Sequence, residues 1–357
     1  MRRPVAPDDR TAALLLPLAH ASAALARLDA RLACASADVA EGLRARLALR
    51  EAAGWLAHQH GTWVHPTDLG LREAGLTGSV TAAAMSGRLR RTLPSTAAEA
   101  VAAGAAGVDV ADDADVAQAL QLGRWWRRLA EHRTWSPLAD AGSLRGLLRQ
   151  MGGEEPDEAV LADWLARFAG RSGARSAADT PALVRAAQAA TAWPASNAGN
   201  MADRVPTVAA FLAACLWRQD GTTPTVALPL WAAPPRRLDA LALASGSAWL
   251  AGFLTAVAEA TDLAGRELTR LQEAESRAAE IRRTARSHLP EAVSVILRAS
   301  VITAASLADR LRISPQAALG LVRCLLKAGV VDEVSGRTAW RAFSAGTSAR
   351  TYGPDRK

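Results

Sequence analysis

Gln316, Gly320, Arg323 and Lys327 recur at intervals of four, three and four residues. That spacing places them on one face of a helix. The face carries an amide, a bare backbone position and two cations, with no acid. An amide and a guanidinium can donate to base edges in a major groove, and glycine lets the two backbones come close. Ser314 and Ala317 stand at the start of the same helix, and Arg337, Thr338 and Arg341 follow in a basic segment. Gln316 and Arg323 are the expected base readers, and Lys327, Arg337 and Arg341 the expected phosphate contacts. The same stripe could instead serve a protein partner.

Three helices and a hairpin must position these groups. Ser287 can cap a first helix with Leu289, Val293, Ile296 and Leu297 on its inner face. The β-branched run Val301-Ile302-Thr303 breaks it, and Thr303 can cap a second helix with Ala305, Leu307, Ala308 and Leu311 inward. Arg312-Ile313 form a turn. Ser314 caps the third helix, and Pro315 sits where its missing N–H costs nothing. Ala318, Leu321, Val322 and Leu325 face inward, and Gly329 ends the helix because it accepts a positive φ. Val330–Val334 and Thr338–Phe343 are the expected wing strands, with Ser335-Gly336 at the tip. Cys324, beside the stripe, reads as a packed or half-exposed thiol.

The charge distribution points the same way. The 357 residues carry a net charge of +7. Residues 264–357 hold 16 Lys+Arg and 9 Asp+Glu, which leaves 26 of each in residues 1–263. The whole excess lies in the C-terminal quarter, as a phosphate-binding surface requires. Cys34, Cys215 and Cys324 lie too far apart for a disulfide framework or zinc knuckle, which fits a reduced, cytoplasmic setting. No stretch reads as a membrane span, and the N-terminal apolar run reads as an amphipathic helix.

Helical periodicity fills the rest. Residues 1–95 read as an N-terminal helical domain and 96–116 as an Ala/Gly/Asp-rich linker. Residues 117–262 form a central helical domain whose tryptophans are core fillers. In that domain Trp125-Trp126-Arg127-Arg128 raises a weaker idea of base stacking. Residues 263–286 read as a connector helix, with Ala264, Leu268, Leu271, Ala278, Ile281 and Ala285 near heptad positions. They would pack within the chain or form a homodimer seam. The three-helix segment spans 287–344, and 345–357 form a disordered basic tail.

Catalytic signals are sparse. The chain has no Walker loop, GxGxxG, HExxH or GxSxG. His58, His60 and His65 form the one histidine cluster, and no Cys or Glu completes a zinc set, so no metal or cofactor is expected. Gly199-Asn200 is an ordinary loop pair.

The layout resembles three-part Fic-family proteins, and within them an uncharacterised bacterial group with a degenerate Fic-like body. The likeness is strongest over 245–343, where a long helix leads into LPEAVSVILRASVITAASLADRLRISPQAALGLV and then SGRTAWRAF. Weaker echoes are Leu25-Ala26-Arg27-Leu28-Asp29, Leu49-Arg50-Glu51-Ala52 and Leu183-Val184-Arg185-Ala186-Ala187. The family's loop HPFxxGNGR is missing: no His lies between His132 and His288, and Gly199-Asn200 with Arg204 is the nearest remnant. The inhibitory pattern (S/T)xxxE(G/N) is eroded at Leu56 to His60-Gly61, which lacks both Ser and Glu. The resemblance implies an inactive helical body with a DNA-binding end.

The expectation is an all-α protein with a short β-hairpin wing. It would be a transcriptional regulator that binds double-stranded DNA and has no enzyme activity. A divergent nucleotidyl transferase and a protein-binding scaffold are the alternatives.

Overall fold

Among the described residues of the computed structural model, 74% are helical and 4% are in strands, so the all-α class holds. The structure describes residues 9–60, 64–76, 113–132, 135–151, 156–169, 180–193, 207–234, 237, 241, 246–281, 287–335 and 341–346. In chain order the helices begin with α1 (Asp9–Ala33), α2 (Ala37–His60) and α3 (Pro66–Glu73). Next come α4 (Asp113–Glu131), α5 (Ala141–Gln150), α6 (Glu158–Phe168), α7 (Ala182–Thr191), α8 (Thr207–Gln219) and α9 (Gly246–Ala279). The chain closes with α10 (Leu289–Arg298), β1 (Ile302–Thr303), α11 (Ala304–Leu311), α12 (Pro315–Lys327), β2 (Val331–Glu333) and β3 (Ala342–Ala345).

The chain divides into two units, and neither is a single stretch of sequence. The first takes residues 1–33, 51–63 and 106–263, and the second takes 34–50, 64–105 and 264–357. The boundary expected at 262 falls next to the change of unit at 263, whereas residues 1–95, expected as one domain, are shared between the two units. Residue 263 falls inside the continuous helix α9, and α3 packs with the C-terminal elements. Asp113–Val116, expected in a linker, form the first turn of α4, with Asp113 and Asp115 at its positive end. Residues 77–95 of the expected N-terminal helical domain, the rest of the linker and the tail from 347 lie outside the described residues.

In the first unit α7 packs on α8, α8 on α4, and α1 on α7. Trp125, Trp126, Trp164, Trp193, Trp217, Trp231 and Trp249 are buried core fillers, and Trp135 is only half-buried. Each buried indole N–H needs an acceptor. Trp126 donates to the Leu228 carbonyl (3.1 Å), Trp164 to that of Ala189 (3.0 Å) and Trp217 to the Thr223 hydroxyl (2.7 Å). The idea of base stacking by Trp125-Trp126 fails on this burial. The segment Ala13–Ala33 of α1 is long and apolar enough to cross a membrane, which corrects the expectation that no stretch is. In this fold its Ala21, Ala24, Leu25, Leu28 and Leu32 are buried.

In the second unit the helix starts follow their caps. The Thr303 hydroxyl accepts from the Ser306 N–H (3.1 Å), and His65 Nδ1 accepts from the Thr67 N–H (3.2 Å) ahead of α3. Ser287 accepts from the Leu289 N–H (3.2 Å), although His288 occupies the cap position of α10. The inner face of α10 is Leu289, Ala292, Ile296 and Leu297, with Val293 only half-buried, and Ala305 on α11 is exposed.

The strands form an antiparallel sheet of order β1-β3-β2. Ile302 pairs with Phe343 and Thr303 with Ala342, while Val331 pairs with Ala345 and Glu333 with Phe343. The Val301-Ile302-Thr303 run thus supplies a strand as well as a helix stop, and β3 runs past Phe343 to Ala345. Leu71 of α3 joins Val301, Val334 and Ala342 in one apolar cluster on this sheet. Ala264, Leu268, Leu271, Ala274 and Ala278 of α9 are buried within the chain, so intrachain packing occupies the stripe considered for a dimer seam. Ile281 is half-buried, and Ala285 lies outside the described residues.

Candidate nucleic-acid interface

Three local signals fix α12. The Ser314 hydroxyl accepts from the Ala317 N–H at 3.2 Å, which satisfies one free donor at the helix start. Pro315 holds the first helical position. At the far end the Val330 N–H reaches the Leu325 carbonyl (2.9 Å) and the Gly329 N–H reaches that of Leu326 (3.0 Å), with Gly329 at φ 66. These two bonds make a Schellman stop, which needs a left-handed residue. Ala318, Val322 and Leu325 then lock the inner face into the core. The turn before α12 is made by Arg312, left-handed at φ 54, and the Ile313 N–H returns to the Ala308 carbonyl at 3.1 Å.

With the inner face fixed, the outer face is exposed from end to end. Gln316, Ala317, Gly320, Arg323 and Lys327 are all exposed, as is Ser314 with its hydroxyl engaged in the cap. Arg323 and Lys327 have no carboxylate partner among the described residues. Gly320 lies mid-helix, and a Cβ there would meet nothing within 4 Å. A helical glycine costs about 0.5–1 kcal/mol relative to alanine, and nothing inside the fold requires one at this position. Cys324 is exposed beside the stripe.

The segment expected to form the wing is described only in part. Arg341 is exposed, yet its Nε donates to Glu333 Oε2 at 2.7 Å and its Nη2 donates to the same oxygen. This hydrogen bonding raises its pKa, and its guanidinium lies over the Phe343 ring, 5.5 Å from the centroid. Arg341, an expected phosphate contact, is thus paired with an acid of the neighbouring strand. Arg337 and Thr338 lie outside the described residues, as do Gly199, Asn200 and Arg204.

Sequence reasoning missed three cations near α12. Arg310 and Arg312 are exposed at the turn that leads into it, and exposed Arg277 of α9 lies beside its end. Arg277 Cδ comes within 3.9 Å of where a Gly329 Cβ would be. The turn arginines carried a visible signal, two cations flanking Leu311, but Arg277 is brought close only by the fold.

The helical body offers one unusual group, Glu51, buried at 2% exposure. Its Oε1 accepts from the N–H groups of Leu230 (3.0 Å) and Ala232 (2.9 Å), and its Oε2 from that of Trp231 (3.0 Å). Burial pushes its carboxyl up to about 8, against the opposite pull of those three donors. A cavity of about 10 Å³ adjoins it, lined otherwise by apolar side chains such as Leu122, Trp126 and Phe211. That is room for about one water molecule, so Glu51 organises a loop and faces no substrate-sized space. Among the described residues no three His, Cys, Asp or Glu side chains are grouped to hold a metal. No protein-family model matches this chain, and none of the curated proteins is similar to it.

Proposed function

We propose that the chain binds double-stranded DNA through a winged helix-turn-helix formed by α10–α12 and the β-sheet, and acts as a transcriptional regulator. The observation that carries this reading is the outer face of α12, which is uniformly exposed and bears Gln316, Arg323 and Lys327 around an otherwise unexplained Gly320. The element order helix–strand–helix–helix–strand–strand supports it, because that order delivers one helix outward while a sheet closes the core behind it. Gln316 and Arg323 read base edges, Lys327 meets phosphate, and Gly320 admits the DNA backbone. The body is Fic-like without the catalytic loop, and serves as a scaffold for the DNA-binding end.

Mobility-shift assays on a library of duplexes, run over a salt series, test this. Affinity falls steeply with salt if phosphates are neutralised. Arg323→Ala relaxes base preference at one position of the site while leaving the fold intact. The reading fails if no duplex is shifted at low salt, or if every duplex binds alike and Arg323→Ala changes nothing.

A further inference from the structure

Several basic residues of the second unit are paired with carboxylates, while others, among them Arg266, Arg323 and Lys327, are exposed without one among the described residues. Arg46, Arg50 and Arg270 lie on Glu267, Arg298 on Asp38, and Arg341 on Glu333. Arg277, Arg310 and Arg312 are exposed and have no carboxylate partner among the described residues. These three are placed at the two ends of α12. Arg310 lies in the last turn of α11, and Arg312 is the left-handed turn residue ahead of Ser314. At the helix's other end, Arg277 Cδ lies 3.9 Å from where a Gly329 Cβ would be.

We infer that Arg310 and Arg312 at the start of α12 and Arg277 at its end form a phosphate clamp on double-stranded DNA, and that Arg341 takes no part in it. This rests on the DNA-binding reading and adds to it the residues that set affinity without reading bases. An exposed guanidinium with no acid beside it can replace counterions on a phosphate. One already bound to Glu333 must first give up that bond. The left-handed φ of Arg312 is a further sign. A non-glycine residue is disfavoured there, and glycine would relieve the turn while deleting the charge.

The test is the salt dependence of binding of the full chain to one duplex. The variant carries R277Q, R310Q and R312G together, with R341Q as the comparison. None of these positions is in the core, and R312G relaxes the backbone, so both variants retain the wild-type thermal transition. Each lost phosphate contact lowers the slope of log K against log salt by about 0.9. The triple variant therefore loses between two and three units of slope with base preference unchanged, and R341Q loses none. A triple variant whose slope falls by less than two units overturns the clamp, as does an R341Q slope that falls by about one unit. If the wild-type chain shifts no duplex, the DNA-binding reading itself fails and the clamp falls with it. Salt-dependent wild-type binding with an unaltered triple variant overturns only the clamp.

Discussion

Helix α2 carries two buried ionic residues, Arg46 in the second unit and Glu51 in the first, and they organise backbone in opposite ways. Arg46 collects carbonyls: its Nη1 donates to Gly42 (3.2 Å) and Leu297 (3.1 Å), and its Nη2 to Ala345 (3.3 Å). Glu51 collects three N–H groups of the loop at 230–232. The difference lies in the counterion. Arg46 has Glu267 at 3.3 Å, whereas the donors to Glu51 are uncharged amides. Desolvation lowers the pKa of Arg46 and the field of Glu267 offsets this, while burial moves Glu51 upward with only hydrogen bonds in opposition. Arg46 thus has a counterion that offsets its burial, whereas Glu51 has only neutral donors against its own.

The sharpest way to break this contrast is Arg46→Met. It leaves Glu267 buried without its closest cation and strips three carbonyls of a donor. The expected loss is about 3–5 kcal/mol by urea unfolding. Gly42→Ala tests the same junction by shape, because its Cβ would lie 2.0 Å from the Leu297 carbonyl oxygen. Overpacking of this kind costs about 1–3 kcal/mol, read as a lower melting temperature.

Glu51→Gln probes the other residue. It sets an amide N–H₂ against a backbone donor, at a cost of about 1–3 kcal/mol. Its pH dependence is more diagnostic. Folding raises this carboxyl from about 4.5 to about 8, so between those values the folded chain holds a proton that the unfolded chain lacks. Wild-type stability then falls as pH rises from 4.5 toward 8 and levels above it. The Gln variant lacks this slope in unfolding curves taken across that window. A wild-type curve flat over the same range shows that the three amides outweigh burial. The smallest change lies away from both residues: Gly320→Ala stabilises the fold by about 0.5–1 kcal/mol. On the proposed DNA-binding reading it also weakens the mobility shift, so that stability and affinity move in opposite directions.

The same contrast shows what the sequence could reveal. Ser314, Pro315 and Gly329 act through neighbours within a turn, so α12 and its outward stripe were legible residue by residue. The Arg341–Glu333 pair was not, because it depends on the register that sets Glu333 opposite Phe343. Strand β1 is two residues long and exists only because β3 pairs with it from far along the chain. Arg46 and Glu51 were hidden for another reason. Much of α2 from Leu43 to Ala57 is buried, so it lacks the polar stripe against which a buried charge stands out. The two interleaved units escaped a linear reading because residues 34–50 and 64–76 find their packing partners beyond residue 264.

The bond from Arg46 to the Ala345 carbonyl spans 299 residues. A ribosome adds about 5–20 residues per second, so this guanidinium waits roughly 15–60 s for that acceptor. Until then the early part of α2 carries a charge destined for the interior but lacking its final environment. Completion of the second unit is therefore late relative to the synthesis of α2, and release of the chain before Ala345 is made leaves that junction open.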